Sequence, residues 1–184
     1  MAILRVAGIT EESVADGPGL RFVVWMQGCP HRCDGCHNPQ TWDYSGGYSL
    51  STDAIIEQIK DNPLLSGLTF SGGEPFMQAD KLIHIAREVK RLGLNVVTYT
   101  GYTLEWLMKF IWYPLSVHRE VLHYRNLLNF TDYLIDGRFE QDKQSPDLNF
   151  RGSSNQRIID VKASFPNGIP VSREDYAVVT ADWS

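Results

Sequence analysis

Three cysteines, Cys29, Cys33 and Cys36, are the residues of this chain best suited to chemistry. They are the only cysteines in 184 residues, and all fall in the run Cys29-Pro30-His31-Arg32-Cys33-Asp34-Gly35-Cys36. An odd number cannot be fully paired as disulfides. Soft thiolates select zinc or iron–sulfur clusters. Three of them on one short loop can hold three corners of a metal cube, with Gly28, Pro30 and Gly35 helping the backbone to wrap tightly. Because no fourth cysteine exists, one iron would lack a protein ligand, and an open coordination position points to catalysis rather than to a closed structural site. Two other readings stand beside this one. Structural zinc would use three cysteines with His31 or His37, although zinc sites usually draw ligand pairs from separated segments. A redox dithiol of Cys33 and Cys36 would leave Cys29 unexplained.

Other segments offer supporting chemistry. In Ser71-Gly72-Gly73-Glu74-Pro75 the glycines allow close backbone approach and Glu74 adds a carboxylate, although a tight strand-to-helix turn would look the same. Thr100-Gly101-Tyr102 and Asp136-Gly137 read as strand-end turns beside a site. Arg151 to Arg157 reads either as a solvated polar loop or as a contact for a cofactor or partner. Arg21 can pair with a carboxylate near the cysteines or form a structural salt bridge. His31 and His37 read as loop residues, His84, His118 and His123 as surface or interhelical ones, and Trp106, Trp112, Tyr113 and Tyr124 as packing aromatics. No Ser-His-Asp set, phosphate-binding loop or dinucleotide fingerprint is evident.

These groups need a scaffold, and the composition supplies one. Hydrophobic residues make up 43% and charged residues 21%, so the chain can bury a core and disorder is not expected. Net charge is -5 with no basic block, which argues against nucleic acid as a partner. The apolar runs, such as Phe22 to Met26, are far shorter than the roughly 20 residues of a membrane span. Arg5 interrupts the N-terminal apolar residues before a signal-peptide core forms. The expectation is a cytoplasmic protein with no membrane contact and a single domain over residues 1–184.

Strand-like and helix-like segments alternate. Leu20 to Met26 is an apolar, β-branched run that predicts a strand buried on both faces, with the cysteine loop directly after it. Ser51, Thr52 and Asp53 are cap candidates for a helix whose apolar face is Ile55, Ile56 and Ile59, ended by Asn62-Pro63. Gly67 to Phe70 predicts a strand. Leu82, Ile85, Ala86 and Val89 predict a helix over about 78–92, closed by Lys90, Arg91 and Gly93. Leu94 to Tyr99 predicts the next strand, Leu104 to Ile111 a helix broken at Pro114, and Val117 to Leu128 a further helix. Tyr133 to Ile135 and Gln156 to Val161 predict the last strands, followed by a turn at Pro166-Asn167-Gly168. The alternation argues an α/β fold with mainly parallel strands. A full eight-fold barrel needs about 250 residues, so an incomplete (β/α) barrel or open sheet of five or six strands is expected. Loops after the strands would then converge on one rim.

The spacing Cys29-x3-Cys33-x2-Cys36 resembles the signature of radical S-adenosylmethionine enzymes, whose fold is such an incomplete barrel. In that superfamily the cysteines hold a [4Fe-4S] cluster, and the methionyl amino and carboxylate groups of S-adenosylmethionine chelate the fourth iron. Many members carry an aromatic residue before the third cysteine, where this chain has Gly35. Asp16-Gly17-Pro18-Gly19-Leu20-Arg21, Gln27-Gly28-Cys29 and His37-Asn38-Pro39-Gln40-Thr41-Trp42 resemble the glycyl-radical activating enzymes. Thr100-Gly101-Tyr102, Asp136-Gly137-Arg138-Phe139 and Arg151-Gly152-Ser153-Ser154-Asn155-Gln156-Arg157 are similar to the branch that activates anaerobic ribonucleoside-triphosphate reductases. The resemblance covers about residues 8–160. It implies metal and catalytic roles for Cys29, Cys33 and Cys36, and S-adenosylmethionine contacts at Gly35, His37, Gly72, Gly73 and Glu74. It also implies a 5′-deoxyadenosyl radical that takes a hydrogen from a glycine-bearing loop of the reductase, and an electron donor such as reduced flavodoxin. Alternatives are activation of another glycyl-radical enzyme such as pyruvate formate-lyase, or a zinc-bound interaction module without catalysis.

Overall fold

The computed structural model describes residues 2–109, 119–165 and 168–173. Pro114 and the helix break expected there, with Ile111, Trp112, Tyr113, Val117, His118, Pro166 and Asn167, lie outside the described residues.

The strands are β1 (Ile3–Ser13), β2 (Arg21–Met26), β3 (Tyr48–Ser51), β4 (Gly67–Gly72), β5 (Asn95–Tyr99), β6 (Tyr133–Asp136) and β7 (Arg157–Asp160). The helices are α1 (Thr52–Asp61), α2 (Ala79–Arg91), α3 (Leu104–Lys109), α4 (Arg119–Phe130) and α5 (Val161–Ser164). One sheet contains all seven strands in the order β3-β1-β2-β4-β5-β6-β7. That order is linear, so the sheet is open. Strands β2, β4, β5 and β6 run parallel, whereas β1 pairs antiparallel with both β2 and β3, and β7 pairs antiparallel with β6.

Among the described residues seven strands replace the five or six expected. The additional pair is β1 with β3, placed antiparallel on the far side of β2. In β1 only Leu4 and Val6 are buried within an otherwise half-exposed run, and the register shifts between Val6 and Gly8. A strand with so short an alternating segment gives a weak sequence signal.

Helix α1 begins as the caps indicated: the Ser51 side chain accepts from Ala54 N, and Ile55, Ile56 and Ile59 are buried. Helix α2 buries Leu82, Ile85, Ala86 and Val89 along one stripe. These faces pack on Leu4, Phe22, Val24, Leu68, Phe70 and Val96. The opposite pleat of β5, β6 and β7 supplies a smaller cluster of Val97, Ile135 and Ile158. Adjacent Val96 and Val97 thus serve opposite faces, as the two-residue period of a strand requires. With both faces filled, chemistry is left to the rim beyond the carboxyl ends of the parallel strands. No helix among the described residues is long and apolar enough to cross a membrane.

Candidate active site

The cysteine loop leaves the end of β2 through Gln27 and Gly28. Gly28 has φ +95, and a Cβ there would lie 2.6 Å from the Tyr44 ring, so both conformation and space call for glycine. The returning segment ties the loop off, with Gly28 N donating to Thr41 O (2.8 Å) and Cys29 N to Trp42 O (3.2 Å). Buried Gln27 sends its Nε2 to Gln40 O at 3.1 Å and Asp43 O at 2.6 Å. The motif around Cys29 is therefore the frame of a closed loop.

All three cysteines are free thiols. They line one cavity of about 450 Å³ together with His31, His37, Gly72, Gly73, Glu74 and Thr100. Asp16, Trp25, Tyr99, Phe150, Arg151 and Gln156 form other parts of its wall. The strand-end segments singled out in the sequence do converge. Gly35 is placed differently: it is exposed, with φ +70, and lies outside that lining. A Cβ there would come 2.8 Å from the movable Gln141 side chain, so the left-handed backbone rather than space calls for glycine, and Gly35 serves to turn the loop. His37 is exposed, its ring 4.9 Å from Phe139, with Gln144 Nε2 at 3.3 Å from His37 Nε2.

Burial pushes the Cys29 thiol pKa up, and the N–H of His31 partly offsets this. Burial likewise raises Cys33, with the N–H of Phe139 opposing it. Among the described residues no group of three or more His, Cys, Asp or Glu side chains is arranged around a single metal ion. Three reduced thiols on one cavity wall, with no fourth cysteine in the chain, are a donor set that fits an iron–sulfur cluster bearing one open iron.

The Glu74 carboxylate is buried and engaged by protein donors: Phe76 N (3.0 Å), Thr100 Oγ1 (3.0 and 3.1 Å), Gly101 N (2.9 Å) and His31 Nε2 (2.8 Å). It is thus less available to a ligand than the sequence indicated. Thr100-Gly101-Tyr102 proves to be its binding turn. His31, read from sequence as a loop residue, has its side chain 3% exposed. The signal for this was Gly101, where a Cβ would lie 2.3 Å from His31 Cδ2.

Arg21 is buried and meets no carboxylate among the described residues. It donates to Thr69 Oγ1, Pro18 O, Asn95 Oδ1 and Leu68 O, all neutral, and burial lowers its pKa to about 10. Arg151 to Arg157 is an ordered turn built on Gln156. Its Oε1 accepts from Gly152 N and Ser153 N, its Nε2 donates to Gly137 O, and Arg151 Nη1 donates to Gln156 O. Asp16, although it opens the Asp16-Gly17-Pro18-Gly19-Leu20-Arg21 motif, and Trp25 and Tyr99 were not recognised as wall residues, since residue type and spacing do not show which side chains face the cavity. Asp16 accepts from Ser13 Oγ at 2.5 Å, and Tyr99 OH donates to Phe150 O at 2.7 Å.

Residues 15–159 match the family described as a 4Fe-4S single cluster domain. The chain is 34% identical over 153 residues to an anaerobic ribonucleoside-triphosphate reductase-activating protein from Haemophilus influenzae, covering 79% of this chain and 90% of that one. Its counterpart from Vibrio cholerae gives the same identity and coverage. A pyruvate formate-lyase-activating enzyme from Clostridium pasteurianum is 38% identical over 108 residues, covering 55% of this chain and 45% of that protein. With the match running from the approach to β2 through the cysteine loop to β7, the chain belongs to the 4Fe-4S single cluster domain family and to the anaerobic ribonucleoside-triphosphate reductase-activating proteins.

Proposed function

We propose that this chain activates an anaerobic ribonucleoside-triphosphate reductase by generating a glycyl radical on it. The observation that carries the reading is the convergence of the Cys29, Cys33 and Cys36 thiols and the Gly72-Gly73-Glu74 segment on one cavity. When bound, a [4Fe-4S] cluster supplies the electron that splits S-adenosylmethionine into methionine and a 5′-deoxyadenosyl radical, which takes a hydrogen atom from the partner's glycine.

The chain's residues do the rest. Cys29, Cys33 and Cys36 hold the metal as thiolates, so metal binding releases their protons. Main-chain carbonyls of Gly72 and Gly73 accept from the methionyl ammonium, and the Glu74 carboxylate behind them adds a favourable field. His37 follows Cys36 on the loop and lines the same cavity, which supports its role as a contact for S-adenosylmethionine. The partner's glycine-bearing loop enters over the rim, and a reductant such as reduced flavodoxin provides the electron.

The open α/β sheet is read as the incomplete barrel of the radical S-adenosylmethionine type, as one domain over residues 1–184. Free cysteines support a reducing, cytoplasmic setting. The reductase is preferred over pyruvate formate-lyase as partner because the similarity spans 90% of the reductase activators but 45% of the lyase activator. Anaerobic reconstitution with iron and sulfide, reduction by dithionite, and incubation with S-adenosylmethionine and each partner test the reading. The expected result is 5′-deoxyadenosine formation and a glycyl electron-spin signal on the reductase. A chain that binds zinc and leaves S-adenosylmethionine intact, or a signal on the lyase alone, overturns it.

A further inference from the structure

The buried Glu74 carboxylate joins three segments that are remote in sequence. Two of its partners, Thr100 and Gly101, follow β5, and Phe76 opens the turn after β4. The fourth, His31, lies midway between Cys29 and Cys33. The carboxylate only accepts, so His31 Nε2 carries the hydrogen of this 2.8 Å contact. Glu74 is 1% exposed, which makes this a charge-assisted bond sheltered from water.

The imidazole is held on further sides. Its centroid lies 4.5 Å from that of Tyr102 at an interplanar angle of 73°. Gly101 leaves the space the ring occupies. On the loop itself, His31 stands two residues from both Cys29 and Cys33. Arg32 has φ +47, a left-handed conformation that is unfavourable for a non-glycine residue and persists only where its surroundings hold it. Among the described residues, no main-chain hydrogen bond joins residues 30–32 to the sheet. The His31 side chain is what connects this stretch to the strand ends.

We propose that His31, held by Glu74, is a positioning residue that sets the Cys29 and Cys33 thiolates against the carboxyl ends of β4 and β5. The inference rests on the cluster-binding reading above and adds to it. It gives Glu74 a task apart from any contact with S-adenosylmethionine: fixing the metal loop through one imidazole.

Wild type, His31→Ala, His31→Asn, His31→Gln and Glu74→Gln are reconstituted anaerobically with iron and sulfide. Three readouts follow: iron and sulfide per chain, the electron-spin spectrum of the reduced cluster, and the rate of iron loss to a chelator. Circular dichroism confirms the fold. Gln places its amide nitrogen where Nε2 stood, whereas Asn falls one bond short. Loss of a charge-assisted hydrogen bond is expected to speed iron loss about tenfold in His31→Ala, His31→Asn and Glu74→Gln, with a shifted spectrum. His31→Gln is expected to stay near wild type, a rescue that bulk alone does not explain. If the wild type holds its cluster and His31→Asn matches it in spectrum and iron loss, the positioning role is overturned while the proposed function stands. If the wild type takes up no sulfide, both fall.

Discussion

Asp136 and Arg157 are register partners across β6 and β7, and the guanidinium grips the carboxylate with two bonds, Nε to Oδ1 at 2.9 Å and Nη2 to Oδ2 at 2.5 Å. Asp136 is fully buried, and its Oδ2 also accepts from Leu104 N at 2.7 Å. One pair therefore joins the antiparallel edge of the sheet to the first turn of α3. Removing one member of a buried ion pair leaves an uncompensated charge, which costs more than the pair itself contributes. Arg157→Ala is expected to lose about 3 kcal/mol in urea unfolding. Arg157→Lys, with a point charge in place of a planar fork, should recover only part of that. A loss under about 1 kcal/mol for the alanine variant would show that the pair is not a structural hub.

Arg157 also reaches Glu105, with Nη1 to Oε1 at 2.8 Å and Nη2 to Oε2 at 2.7 Å. Hydrogen bonding to Arg157 lowers the Glu105 pKa to about 2, from a reference of 4.5. A carboxylate held below its unfolded value stabilises the fold above about pH 4.5, and this contribution disappears as pH falls through about 2. Half the Glu105 side chain is exposed, so solvent screening limits the effect to about 1 kcal/mol or less. Glu105→Gln should be less stable than wild type at pH 6, and the gap should close near pH 2. A gap that is constant with pH would show that Glu105 acts by packing alone.

The glycines at the end of β4 are required by the protein's own backbone as well as by any ligand. Gly72 has φ +89, and a Cβ would lie 2.6 Å from Met26 N. At Gly73 a Cβ would lie 2.5 Å from Gly28 O, on the stretch that opens the cysteine loop. Gly72→Ala combines left-handed strain with a backbone clash and is expected to cost about 2 kcal/mol or more. Gly73→Ala should cost less overall but loosen the loop, seen as weaker retention of reconstituted iron. Stability within about 0.5 kcal/mol of wild type for Gly72→Ala would contradict the backbone argument.

What the sequence made legible was local. The Ser51 cap, the Leu82-Ile85-Ala86-Val89 stripe and the Gly93 terminus each follow from interactions within a few residues, and α1 and α2 appear where those signals lie. The cysteine loop was legible because its chemistry is carried by residue type and spacing. Strand β3, only four residues long, was not, because its pairing with β1 spans more than forty residues and leaves a weak alternation. The same holds for His31 with Glu74 and for Asp136 with Arg157, whose partners are fixed by strand order. Arg21 shows the limit from the other side. Charge suggested a carboxylate partner, but its neighbours on β4 and β5 offer four oxygens of neutral groups, Pro18 O adds a fifth, and among the described residues these hold a buried guanidinium without a counter-ion.

The assignment of Cys33 as a metal ligand is separable from any role in folding. Its side chain is only partly buried, and the loop carrying it stands outside the apolar core between sheet and helices. Shortening a thiol there removes no core contact, so Cys33→Ala should shift unfolding by less than about 1 kcal/mol. For the cluster the same change removes one of three protein ligands, and no other cysteine in the chain can replace it. The variant is expected to keep its far-ultraviolet circular dichroism and its cooperative unfolding. After anaerobic reconstitution it should hold little iron or sulfide and lack the visible absorption that dithionite bleaches in the wild type. A Cys33→Ala protein with the full complement of iron and a wild-type spectrum would remove Cys33 from the ligand set, and with it the argument that the cavity holds a cluster by three corners.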